Sequence, residues 1–249
     1  MLQGSLVPGA ANAAGRKDRT MTTSLRVAGW GTLGFALAFF VTFTLNALVN
    51  TLVPLAEHPL ASDMADQHWG GVLFLSTWSS AGIALGVATI GLAAIVWPDG
   101  GQVARLSHLF GAIATAGWLL SGAASFAQRT TLLNDNIAAA SADPAAENAV
   151  IEGLFVGVHT GGVLFAVAAL PWLGIVAVGA AGHLPRTVVV LLWVAAVASF
   201  AGFVALGLQL GFLVVMLAFG TIGGILLIRA RRAAEAPVEK APMATPAAA

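Results

Sequence analysis

Residues 188–228 read VVVLLWVAAVASFAGFVALGLQLGFLVVMLAFGTIGGILLI, 41 positions without a single charge. As one straight helix the stretch would be about 61 Å long, roughly twice the ~30 Å hydrocarbon thickness of a bilayer. It therefore has to turn back. The one turn signal inside it is Gly207-Leu208-Gln209-Leu210-Gly211, where two glycines flank the only strongly polar side chain of the stretch. Two spans follow, at about 188–206 and 210–229.

The same criterion, about 20 mainly apolar residues per crossing, finds four more spans upstream. They cover about 27–53, ended by Pro54; 72–96, ended by Trp97, Pro98, Asp99 and the Gly100/Gly101 pair; 106–127; and 150–178, with a kink expected at Pro171. The fold class is all-α, a polytopic membrane protein built as a six-helix transmembrane bundle. The transmembrane domain is expected over 25–230. Residues 1–24 and the Ala/Pro-rich residues 231–249 are expected to be disordered cytoplasmic segments. Nothing in residues 1–20 has the apolar core of a cleavable signal, and Met21, leading directly into Arg26 and the first span, is an alternative start to Met1.

Composition agrees with a bilayer as solvent. The chain is 58% hydrophobic and 9% charged, against about 25% charged in soluble domains. A formal net charge of zero removes the basic footprint that nucleic-acid binding needs. With no cysteine there is no disulfide, thiolate zinc site or iron–sulfur cluster. Lys17 and Lys240 lie outside every span, so no lysine can carry a retinal Schiff base, and no P-loop, HExxH pair or GxSxG elbow occurs.

Basic residues accumulate on the cytoplasmic side of membrane proteins. Arg16, Lys17, Arg19 and Arg26 precede the first span, Arg105 and Arg186 sit in the second and fourth connections, and Arg229, Arg231, Arg232 and Lys240 follow the last. Six crossings put all of them on one side, with both termini cytoplasmic, in the cell membrane. The opposite connections hold Glu57, Asp63, Asp66, Asp135, Asp143, Glu147 and Glu152 with Arg129 as their sole basic residue. Five crossings would carry Arg229, Arg231 and Arg232 to that acidic side.

Helices in lipid associate through close backbone packing at small residues and a few hydrogen bonds. The spacings Gly82/Gly86, Gly153/Gly157/Gly161 and Gly220/Gly224 therefore mark packing faces. Polar side chains inside spans are costly and should face the interior or a wet cavity. Asn46 and Asn50 follow Thr42 along one face of the first span; Ser80, Gln128, Glu152 and His159 also lie in the outer halves of their spans. Together these six define a candidate outward-facing polar vestibule, weighed against local bonding to neighbouring helices or interfacial water.

Glu152 and His159 are two turns apart on one helical face, about 10 Å along the axis, a spacing suited to a proton relay or to a structural pair at a helix start. His108 enters the third span from the cytoplasmic side, at a depth that does not match His159 for shared haem ligation. The first outer loop concentrates His58, Asp63, Asp66 and His68 as candidate metal ligands, although their spacing matches none of the compact zinc signatures. No cofactor is expected.

Three functions are compatible with this sequence: a noncatalytic accessory or assembly component of a membrane complex, which is favoured; a small solute, ion or proton transporter using the vestibule; and a membrane-embedded metal or haem redox protein. The partners expected are the lipid bilayer and other membrane subunits or a second copy of this chain, and not nucleic acid.

Overall fold

The computed structural model describes residues 9–52, 68–129, 144–202 and 210–235. Six helices account for nearly all of them: α1 Gly9–Leu52, α2 His68–Val96, α3 Gln102–Arg129, α4 Pro144–Ala180, α5 Arg186–Phe200 and α6 Leu210–Glu235. No strand occurs among the described residues. Five helices are long and apolar enough to cross a membrane, over Thr20–Leu45, Gly70–Val96, Gln102–Ala127, Val156–Ala180 and Gly211–Glu235. The 15 residues of α5 rise about 22 Å, and the glycine-flanked turn expected at 207–211 lies mostly outside the described residues.

Two element boundaries differ from the expectation of disordered flanks. The chain is helical from Gly9 rather than from about residue 25, and α6 runs on to Glu235. Both extensions are rich in Ala and Arg, strong helix formers, and each continues a transmembrane helix already nucleated, so adding a turn costs little. Arg231 Nε reaches Glu235 Oε1 at 2.7 Å, an i,i+4 pair on the last turn of α6.

The helices close into a ring in chain order. Each packs on its sequence neighbour, and α6 closes on α1. Neighbours are antiparallel, as their contacts show. Gly31 of α1 lies against Ala88 of α2 while the earlier Ala28 lies against the later Gly91; Gly29 meets Leu227 of α6 while Leu33 meets Gly223. The short turns Trp97–Gly101 and Ala181–Pro185 therefore fall at the same end of the ring as Arg26 and Arg229. Gly100, Gly101 and Gly182 have φ of 77°, 111° and 97°, a region that a side chain disfavours; these are the points where the chain reverses between α2 and α3 and between α4 and α5.

Helix-to-helix distance is set by missing side chains. A Cβ on Gly31 would lie 2.7 Å from the Cα of Ala88, and one on Gly91 would lie 2.6 Å from the Cα of Ala28. Across α3 and α4 the same reciprocity holds for Gly117 and Gly161, where a Cβ on either would sit 2.5 Å from the other's carbonyl oxygen. A Cβ on Gly223 would lie 2.8 Å from Leu33 N, and one on Gly211 would lie 2.6 Å from Gly202 Cα. The glycines singled out by spacing divide among these seams. Gly82 and Gly86 face α3, Gly157 and Gly161 face α3 from the other side, and Gly220 faces Ala36 of α1 at 3.6 Å. A Cβ on Gly153 or Gly224 would meet nothing within 4 Å among the described residues.

Replacing Gly161 with Ala should destabilise the bundle by about 1–3 kcal/mol, because backbone on the facing helix cannot move aside as a flexible side chain would. Gly153→Ala and Gly224→Ala meet no such obstacle and should be neutral or gain up to about 1 kcal/mol from helix propensity. Unfolding in mixed detergent micelles, followed by far-UV circular dichroism, measures all three; equal losses at the three positions would contradict the packing described.

Candidate functional site

The centre of the ring is filled by aromatic rings from five helices. Phe35 of α1 stands between Phe219 of α6 at 5.0 Å, Trp118 of α3 at 5.3 Å and Phe165 of α4 at 6.1 Å. Trp118 in turn meets Phe39 at 5.1 Å and Trp78 of α2 at 5.0 Å. The pairs Phe35–Trp118 and Phe39–Trp118 are perpendicular, at 84° and 89°, so a positive ring edge meets a negative face. Such contacts draw on dispersion, which lipid does not remove.

Polar atoms in this interior are mostly satisfied by their own helix. Thr32 Oγ1 donates to Ala28 O at 2.8 Å, Thr42 to Ala38 O at 2.8 Å, Thr89 to Leu85 O at 2.9 Å and Ser199 to Ala195 O at 2.7 Å. Ser121 instead crosses to the next helix, its Oγ donating to Val158 O at 2.9 Å in the space Gly161 leaves. The indole N–H groups of Trp78, Trp118 and Trp172 and the Ser107 hydroxyl are buried without a hydrogen-bond partner.

The candidate vestibule residues divide into two groups. The side chains of Asn46, Asn50, Gln128 and Glu152 lie outside the described residues, as do His58, Asp63 and Asp66 and the side chain of His68. Ser80 and His159 are both exposed. Ser80 shares a helical stripe with exposed Ser76, Ile83 and Val87, and His159 shares one with exposed Val156 and Val163. Both stripes face away from the aromatic centre. The Ser80 hydroxyl donates to Ser76 O at 2.7 Å, so a serine on the perimeter costs little there.

His108 and His159 are far apart along the bundle. The α3–α4 contacts at Gly117–Gly161 and Ser121–Val158 put His159 level with about residue 120 of α3, so the two imidazoles differ in depth by about 20 Å. One haem within this chain does not span that separation with bonds near 2 Å. Among the described residues no three His, Cys, Asp or Glu side chains converge on a common point.

A groove of about 690 Å³ lies on the perimeter, at the end that carries Arg186. Trp97 from the α2–α3 connection, Val103 of α3, Pro171, Gly174 and Gly179 of α4, and Trp193 of α5 line it. Leu170, Ile175 and Val178 of α4 also line it, and the two indoles come close to α4 because glycine faces them: a Cβ on Gly174 would lie 3.3 Å from the Trp193 ring, and one on Gly179 would lie 2.6 Å from that of Trp97. The helix continues through Pro171, which has no N–H to give Val167 O. Spacing analysis marked Pro171 as a kink but did not connect it with Trp97 and Trp193, which are distant in sequence.

Comparisons of this chain with protein-family models, with curated proteins and with solved structures each return no match. Its site is therefore tested by substitution. Ser121→Ala, which removes an interhelical bond, should cost about 0.6 kcal/mol. Phe35→Ala should cost about 3 kcal/mol, the lower end for a buried phenylalanine, since the lost term is packing without transfer from water. A Phe35→Ala variant as stable as the parent would show that the centre is not packed as described.

Proposed function

We propose that this integral membrane protein is a noncatalytic accessory or assembly component of a membrane complex, with both termini on the cytoplasmic side. The observation that carries the reading is the packed aromatic centre: Phe35, Phe39, Trp118, Phe165 and Phe219 occupy the axis along which a six-helix ring would otherwise conduct. The buried hydroxyls of Thr32, Thr42, Thr89 and Ser199 are tied to their own helices and that of Ser121 across the α3–α4 seam, and Ser80 and His159 face the perimeter. A rigid, filled body with an apolar perimeter suits a scaffold that neighbouring subunits pack on. The accumulation of arginine at one end of the ring supports the orientation.

A Cβ on Gly157 would lie 3.3 Å from that of Ala124 in the same chain, so a bulky residue there perturbs the fold itself. Gly153 and Gly224, open toward the surroundings, are the better probes of an external contact. Extracted in mild detergent from its own membrane, the chain should co-purify with a larger assembly, which Gly153→Leu or Gly224→Leu weakens while helicity is retained. The alternatives have their own signatures. A pH-dependent flux in vesicles, abolished by Glu152→Gln or His159→Ala, would replace this reading with transport; stoichiometric metal or a haem spectrum in the pure protein would replace it with redox chemistry.

The absence of cysteine makes orientation simple to measure. Single substitutions Asp99→Cys and Ala233→Cys should react with an impermeant thiol reagent only after the membrane is opened, and Asp143→Cys should react in intact cells. The reverse pattern would overturn the proposed orientation.

A further inference from the structure

The groove between α4 and α5 has a length, a lining and a charged mouth that no part of the proposed scaffold role uses. Pro171 lies nine residues before Ala180, the last residue of α4, so the groove reaches about 14 Å inward from the basic end. That matches one leaflet, half of the ~30 Å hydrocarbon layer. Its lining is apolar: Leu170, Pro171, Ile175 and Val178 of α4 line it between the Trp97 and Trp193 indoles, which pack close to α4 at Gly179 and Gly174. Trp97, at the end of α2, stands at the depth where tryptophan prefers the membrane interface.

The mouth is cationic. Arg186 opens α5 and is exposed. It lies seven residues, two turns, before Trp193, and therefore on the same face of α5, about 10 Å closer to the membrane surface. Exposed Val190 lies on the stripe between them. The ion pair found among the described residues joins Arg231 to Glu235 and does not involve Arg186. His183, also exposed, holds its Nδ1 3.2 Å from the carbonyl oxygen of Gly179, a residue of the groove lining, which fixes the ring beside the mouth. A guanidinium that has no counter-ion among the described residues, above an apolar channel one leaflet long, is complementary to one kind of molecule, with an acyl chain below and a phosphate above.

We propose that this groove is a binding site for an anionic phospholipid of the leaflet on the basic side. One acyl chain lies along Pro171, Gly174 and Gly179 between Trp97 and Trp193, and the phosphate is held by Arg186 with His183 alongside. Anionic lipid is preferred over zwitterionic because Arg26, Arg105, Arg229, Arg231 and Arg232 share that end of the ring, outnumber Asp99 and Glu235 there, and leave a positive field that a net-neutral headgroup does not feel.

The test uses the full chain, delipidated in detergent and titrated with phosphatidylglycerol or phosphatidylcholine of identical acyl chains, with retained lipid counted by native mass spectrometry. The expected result is one phosphatidylglycerol held in preference to phosphatidylcholine. Arg186→Gln should lower phosphatidylglycerol retention about fivefold and leave phosphatidylcholine unchanged. Gly174→Leu, which fills the groove, should abolish retention of both. Because Gly174→Leu also presses on Trp193, a second readout keeps the test decisive: phosphatidylglycerol carrying bromine at mid-chain should quench fluorescence in the parent protein more than in Trp193→Phe. Equal retention of the two lipids, retention unaffected by Arg186→Gln, or quenching that does not depend on Trp193 would each overturn the proposal. So would efficient disulfide-linked dimerisation of Trp193→Cys, which would assign the groove to a second copy of the chain.

Discussion

Lipid neither squeezes apolar helices together nor supplies hydrogen bonds to an open backbone, so a membrane bundle depends on how closely its helices can approach. In this protein that approach is set where glycine on one helix meets backbone on the next. Gly31 and Gly91 bring α1 and α2 together, Gly117 and Gly161 join α3 to α4, Gly223 draws α6 onto α1, and Gly211 sets the α5–α6 crossing. Four of the six interfaces in the ring have such a contact; between α2 and α3 the Thr89 side chain packs against Gly111 instead, and α4 and α5 are joined by a short turn.

Close approach has a second consequence. Helices held near one another leave a central space narrow enough for a few large rings to fill, and Phe35, Trp118 and Phe165 meet there from three different helices. The buried hydroxyls of Thr32, Thr42, Thr89 and Ser199 are satisfied along their own helices, and the Ser121–Val158 bond forms where Gly161 makes room. A filled centre directs attention to the perimeter, where the Trp97–Trp193 groove and the arginines of one end lie. A binding role for the outside of the bundle is the functional picture that this geometry favours.

Much of the architecture was legible in the chain itself. The 41-residue apolar run had to fold back because it is longer than any bilayer is thick, and the helices Arg186–Phe200 and Leu210–Glu235 lie on either side of the expected reversal. Helix-length apolar runs and the Gly100/Gly101 break located the other four. Fourfold glycine spacing pointed to Gly157 and Gly161 as packing positions, but it also pointed to Gly153 and Gly224, which have open space beside them, and it passed over Gly31, Gly91, Gly117 and Gly223. Spacing along one helix records that a face is small; whether another helix lies on that face depends on residues far away in the chain.

The polar residues illustrate the same limit. Cost of burial in lipid argued that Ser80 and His159 should turn inward, yet both share stripes with exposed valines or isoleucine, and Ser80 escapes the cost by bonding to Ser76 O. Sequence alone determined that the chain is a set of apolar helices with its arginines toward one end, because helix length, hydropathy and charge distribution are properties of contiguous residues. Only the tertiary structure decided which glycines touch, that aromatic rings close the centre, and that Trp97, Pro171 and Trp193 share one groove, because those relations are fixed by the azimuth of each helix about its own axis, which is set only when all six pack together.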